Sequence, residues 1–160
     1  MMELLGSIEQ SALAVWVREA STIWAYPTII TLHTVGLAIL VGANVAVDLR
    51  FLNLAARGVT LEDMRPFFRY MWVGFWINAT SGVLLFTTEA TTKGIAHIFL
   101  LKLGLIACGV VLIVLMRRAV YGHEGPAVMV PASAKAFAAL SLFIWMAAIT
   151  AGRLQAYITL

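Results

Sequence analysis

From Ala20 to Val47 the chain carries no aspartate, glutamate, lysine or arginine. A helix of about 20 apolar residues crosses the hydrocarbon of a bilayer. In a soluble domain an uncharged helix of that length would have no face to turn to water. Three more apolar stretches follow, and together they predict spans over about residues 22–47, 68–88, 95–116 and 135–158. Composition agrees: 62% of the residues are hydrophobic and 12% charged, whereas soluble domains have about half and about a quarter. The fold class read from this is all-α, a polytopic membrane four-helix bundle, with residues 1–160 forming a single transmembrane domain.

Ahead of the first span lies "SIEQSALAVWVREAS". Ser7 and Gln10 fit a capping box, and Ile8, Val15 and Trp16 form one apolar face. The stretch is too polar to span. It reads as a short N-terminal interfacial helix or as an extension of the first membrane helix. The opening "MMELLGSIEQ" lacks the basic region of a cleavable signal peptide.

Loop charges suggest an orientation. Arg50, Arg57, Arg65 and Arg69 follow the first span, and Arg117, Arg118 and Lys135 flank the loop after the third. Arg18, Lys93 and Arg153 lie on the other side. The excess places both longer loops in the cytoplasm, with both termini facing outward. The formal charge of +3 is explained by these topology signals, so nucleic acid is excluded as a partner. Cys108 is the lone cysteine and lies inside an apolar run. The connector "YGHEGPAVMVPAS" is turn-rich, and His123 within it reads as solvated.

The polar residues inside the spans are the informative ones, because lipid cannot satisfy them. His33, Gly36, Leu40, Asn44 and Asp48 follow helical spacing and define a face that turns into the bundle. Asn78, Gly82 and Glu89 share a face of the second span, with Thr80 and Ser81 beside it. Asn44 and Asn78 are expected to bond between helices, and Asp48 with Arg50 to end the first span. Ala148 with Gly152, and Ala38 with Gly42, are spaced for close helix contact. In the third span His97, Gly104 and Cys108 share a face, whereas Lys102 and Gly109 point about 140° away from His97. Periodicity leaves both faces open as the inward one.

His33, Glu89, His97, Lys102 and Arg153 all fall in the outer half. Their convergence predicts a site near the outer face. A b-type haem suits it: His33 as iron ligand, His97 as a second axial ligand, Lys102 or an open position as the alternative. Lys102 and Arg153 would face the propionates, and Gly36 would let the flat ring approach the backbone. Two other readings stand beside it. His33 is a simple interhelical hydrogen-bond partner, or it belongs to a proton relay; Arg153 and Glu89 pair with each other or reach the interface.

The stretches "WVREASTIWAYPTIITLHTVGLAILVGANVAVDLRFL", "WVGFWINATSGVLLFTTEA" and "AALSLFIWMAAITAGRLQAY" resemble an uncharacterised family of small bacterial four-helix inner-membrane proteins, a domain of unknown function. "LHTVGLAILVG" and "FLLKLGLIACGVVLIVLMRR" are distantly similar to the histidine and lysine helices of copper-resistance protein D and of HemJ-type protoporphyrinogen oxidases. In the HemJ type the histidine of the first such helix is implicated in haem binding. The resemblance implies that role for His33, and matches the lysine to Lys102. The chain has "LMRRAVY" where the HemJ type has an aromatic–histidine stretch, which argues against porphyrinogen oxidation. It also lacks the methionine and histidine clusters of a copper path.

The leading expectation is therefore haem b near the outer face, serving electron transfer. The alternatives are a cation or proton transporter, an accessory membrane subunit without cofactor, or a structural partner protein. The implied partners are membrane lipid, a redox partner or other membrane subunits, and a second copy of the chain.

Overall fold

A computed structural model describes residues 2–122, 127, 129–155 and 157, and all its regular elements are helices. They are α1 (Met2–Glu9), α2 (Ala12–Glu19), α3 (Tyr26–Phe51), α4 (Leu61–Met64), α5 (Phe67–Thr87), α6 (Ala90–Lys93), α7 (His97–Tyr121) and α8 (Ala132–Leu154). His123, Gly125 and Pro126 of the turn-rich connector lie outside the described residues.

Three helices, α3, α7 and α8, are long and apolar enough to cross a membrane. The fourth expected span, α5, has 21 residues, about 31 Å at the helical rise, but falls outside that group. Length is not what it lacks. It carries Arg69, Asn78, Thr80 and Ser81, and its tryptophans and tyrosine are only weakly apolar on a hydropathy scale.

The termini of these helices have local causes. Pro27 sits in the first turn of α3, where its missing N–H costs nothing. At the other end Asn53 adopts φ 57°, and Leu54 N donates to Leu49 O at 2.9 Å, a Schellman closure. α3 thus runs to Phe51, beyond the end expected from Asp48 and Arg50. Thr60 and Asp63 form a capping box that opens α4. At the N-terminus the cap is Ser11, opening α2, rather than Ser7, whose hydroxyl bonds back to Leu4 O within α1. The interfacial stretch is thus two short helices instead of one.

The long helices pack in the order α5–α3–α8–α7. We call the end where α3 and α7 begin, and α5 and α8 finish, the upper end. The tightest junction is α3 on α5. A Cβ on Gly36 would lie 2.6 Å from Asn78 N, and a Cβ on Gly74 would lie 2.5 Å from Leu40 N. Two glycines therefore let the two backbones touch. The close contact expected at Ala38 and Gly42 does not form: Ala38 is exposed, and nothing lies within 4 Å of a Cβ on Gly42. On the other side of the bundle Gly109 of α7 receives the ring of Trp145 from α8. The main core joins Leu40, Met71, Ile113, Met116 and Trp145 from all four helices.

The N-terminal helices lie across the upper end. Val17 of α2 packs with Ile29 and Leu85. The Glu9 carboxylate accepts from Thr91 N at 2.8 Å and from Thr91 Oγ1 at 2.6 Å, tying α1 to α6.

Two predictions follow from this packing. Gly36→Ala or Gly74→Ala forces backbone apart and should lower thermal stability in detergent by about 1–3 kcal/mol, the usual cost of overpacking. Gly42→Ala, with open space around it, should leave the melting temperature unchanged. The Thr91 hydrogen bonds hold the Glu9 carboxyl below its ordinary value of 4.5. Its contribution is complete above that value and is lost as pH falls through the lowered one. The Thr91 amide resonance should titrate with a midpoint below 4.5; an ordinary midpoint would remove the tie.

Candidate functional site

His33 lies on the inner face of α3, half-buried against α5. Its Nδ1 is 2.9 Å from Asn78 O and 3.2 Å from Ser81 Oγ. A carbonyl only accepts, so Nδ1 carries the proton and donates. The Asn78 side chain returns the bond, its Nδ2 donating to His33 O at 2.8 Å. The ring rests on Gly82, where a Cβ would come within 3.0 Å of Cε1. In the neutral ring this arrangement leaves Nε2 with its lone pair, the tautomer that metal-binding histidines adopt when a backbone carbonyl orients them.

Lys102 is the charge nearest this site. It is half-buried, and lies along Gly152 of α8, where a Cβ would be 3.5 Å from Cε and 3.6 Å from Nζ. Among the described residues it pairs with no carboxylate. The two faces of α7 are thereby distinguished. Lys102 and the buried Gly109 point inward, whereas His97, Gly104 and Cys108 are all exposed.

The other expected members of the site are placed differently. His97 opens α7 on its exposed side, and Arg153 is exposed near the end of α8. Glu89 pairs with Lys93 at 3.1 Å, not with Arg153. Gly36 was expected to leave room for a flat ring; its open side is filled by the α5 backbone. Of the five convergent ionisable groups the structure turns two inward, His33 against α5 and Lys102 along α8, and adds Asn78 and Ser81 as the groups that orient the imidazole.

A second polar cluster lies towards the lower end. Asn44, Asp48 and Ser141 are each 0% exposed. Asn44 Nδ2 donates to Asp48 Oδ2 at 2.5 Å and to Ser141 Oγ at 2.7 Å, bridging α3 to α8. Asn44 Oδ1, Asp48 Oδ1 and the nearby Trp145 Nε1 have no partner. Asp48 forms no ion pair among the described residues. The neighbouring Arg50 points away, donating to Val59 O and Asn53 Oδ1. Asp48 therefore does not end the helix beside Arg50; it is a buried carboxyl whose charge only a proton or a bound cation would balance. Its inward position was readable from the helical stripe. So was its partner Asn44 one turn back; Ser141, to which Asn44 also donates, was not, because it comes from a distant helix.

No protein-family model matches the chain, and no curated protein or solved structure matches it. No group of three or more histidine, cysteine or acidic side chains is gathered for a metal ion among the described residues. A haem iron requires fewer protein ligands than such a group, one or two axial side chains.

A prediction tests the lower cluster. Asp48→Asn removes the uncompensated carboxyl while keeping its shape and should preserve or raise thermal stability. Asn44→Leu strips both donated bonds and should lower stability by about 1–3 kcal/mol, the cost of stranding buried polar groups. Thermal unfolding of the two variants in one detergent checks the opposite signs.

Proposed function

We propose that the chain is a four-span protein of a bacterial inner membrane, with α5 as the fourth span and both termini periplasmic, and that it holds one b-type haem at the upper end for electron transfer. The observation that carries this reading is the His33–Lys102 pair. His33 presents an oriented imidazole whose Nε2 accepts only a long contact from Asn78 Nδ2 at 3.4 Å, and Lys102 turns a half-buried ammonium inward with no carboxylate partner among the described residues. A haem supplies what each lacks: an iron for the imidazole and a carboxylate for the ammonium. The resemblance of the histidine and lysine helices to those of HemJ-type proteins supports the same two residues.

The roles follow from the chain's own groups. His33 ligates iron through Nε2, with Asn78 O holding the ring's orientation through Nδ1. Lys102 would pair with a propionate; Arg153, exposed near the end of α8, would meet the second only by extending from outside the inward pair. His97, on the outer side of α7, is not needed as an axial ligand. When bound, the haem supplies one-electron exchange; a redox partner would approach from the upper side.

A second reading has its own observation. Asp48 is fully buried without a cation beside it, and intramembrane carboxyls of that kind mark proton or cation handling. In that reading the chain is a transporter or an accessory subunit, and the lower cluster is its site.

Optical spectroscopy separates the two. Purified protein reconstituted with haem should show a Soret band that shifts on dithionite reduction. His33→Ala should abolish the band, Lys102→Ala should weaken haem retention, and His123→Ala should change nothing. A protein that shows no spectral change after reconstitution overturns the haem reading, and proton or cation flux in proteoliposomes abolished by Asp48→Asn then supports the other.

A further inference from the structure

We propose that Asp48 stands in the bundle as a neutral carboxylic acid whose proton lies on Oδ1 and is donated to Asn44 Oδ1. The lower cluster is then a site for one resident proton, and the proton fixes the amide that bridges α3 to α8. This proton is independent of whatever His33 holds. It is one of the two counter-charges open to the second reading, and it needs no transport.

Asn44 and Asp48 lie one turn apart on α3 and are joined by a single hydrogen bond, Nδ2 to Oδ2 at 2.5 Å. Each side chain has one further oxygen, Oδ1 in both, and both of these are buried without a partner. Two acceptors cannot satisfy each other. A proton on Asp48 Oδ1 turns one of them into a donor. Amide and acid then pair through two parallel bonds, N–H to one oxygen and O–H to the other. Asn44 gives its second amide hydrogen to Ser141 Oγ at 2.7 Å, which carries the pair across to α8. What the two side chains lack is one proton.

Other counter-charges fit less well. Asn44, Asp48 and Ser141 are all 0% exposed, so water does not screen a charge among them. The charged and titratable side chains of the surrounding elements turn elsewhere. Arg50 is spent on Val59 O and Asn53 Oδ1. Glu62 accepts from Ala127 N, and Tyr121 donates to Leu61 O. Arg69 of α5 and Lys135 of α8 are exposed. A hard metal cation collects about six oxygens. Here the side chains offer Asn44 Oδ1, Asp48 Oδ1 and Ser141 Oγ, and Trp145, one turn along α8, adds a buried N–H in place of an oxygen. A stranded carboxylate at such depth neutralises instead. A proton also needs no cavity.

The sequence makes the test clean, because its two aspartates are Asp48 and Asp63, and Asp63 is exposed. The full chain is labelled with aspartate carrying carbon-13 in its side-chain carboxyl and studied in detergent at about pH 7, where an ordinary aspartate is ionised. Infrared spectra of the unaltered protein should show one isotope-shifted carboxylic acid band, from Asp48, and one isotope-shifted carboxylate band, from Asp63. Asp48→Asn should remove the acid band alone, and Asp63→Asn the carboxylate band alone. The first spectrum needs no variant to fold. Two carboxylate bands in the unaltered protein, or an acid band that survives Asp48→Asn, would overturn the proposal. So would a melting temperature that rises in sodium or potassium chloride over choline chloride at equal ionic strength and loses that rise in Asp48→Asn, which would assign the site to a metal cation.

Discussion

The contact between Gly36 and Gly74 underlies the upper site. Without side chains at these positions the α3 and α5 backbones touch, and Asn78 N lies where a Cβ on Gly36 would be. That closeness lets His33 reach the carbonyl of Asn78 while the Asn78 amide reaches the carbonyl of His33. Each helix thereby satisfies a polar group of the other, which lipid cannot do. The reciprocal pair fixes the imidazole in one orientation. A larger residue at either glycine would separate the backbones and loosen both bonds together.

The bundle is correspondingly uneven. α3 is gripped on one side by α5 through glycines and on the other by α8 through Asn44 and Ser141. α7 is held chiefly by α8, where Trp145 fills the space over Gly109. What remains between α5 and α7 is a seam bridged by aromatic rings. The middle of that seam is closed by Leu40, Met71 and Ile113, which are buried in the main core.

Much of this was legible in the sequence. The long uncharged runs located the helices, and the 3.6-residue stripe from His33 through Gly36, Leu40 and Asn44 to Asp48 correctly pointed inward. What periodicity lacked was the partner of each face. In α7 the His97 and Lys102 faces were equally plausible, and the choice fell to Trp145 of a different helix packing on Gly109. Asp48 stood next to Arg50 in sequence and invited a local pairing, but its hydrogen bond comes from Asn44 one turn back, which also donates to Ser141 on α8. Gly36 was recognised as a point of close approach, though what approaches is a helix. Five ionisable groups at one depth implied one cluster; rotation about each helix axis, which depth does not record, separates His97, Glu89 and Arg153 from the other two.

The two polar levels also bear on how the molecule works. His33 and Asp48 lie fifteen residues apart on one stripe, about 22 Å along the helix. Between them Leu40 is fully buried and packs with Met71 and Ile113 from neighbouring helices. That layer offers no hydrogen-bonding side chain to carry a proton from one level to the other. Transport across it would require that layer to open. Holding a cofactor at the upper level asks for no such movement. It asks only that an imidazole be oriented and an ammonium be left unpaired, and both follow from the packing of helices already locked together.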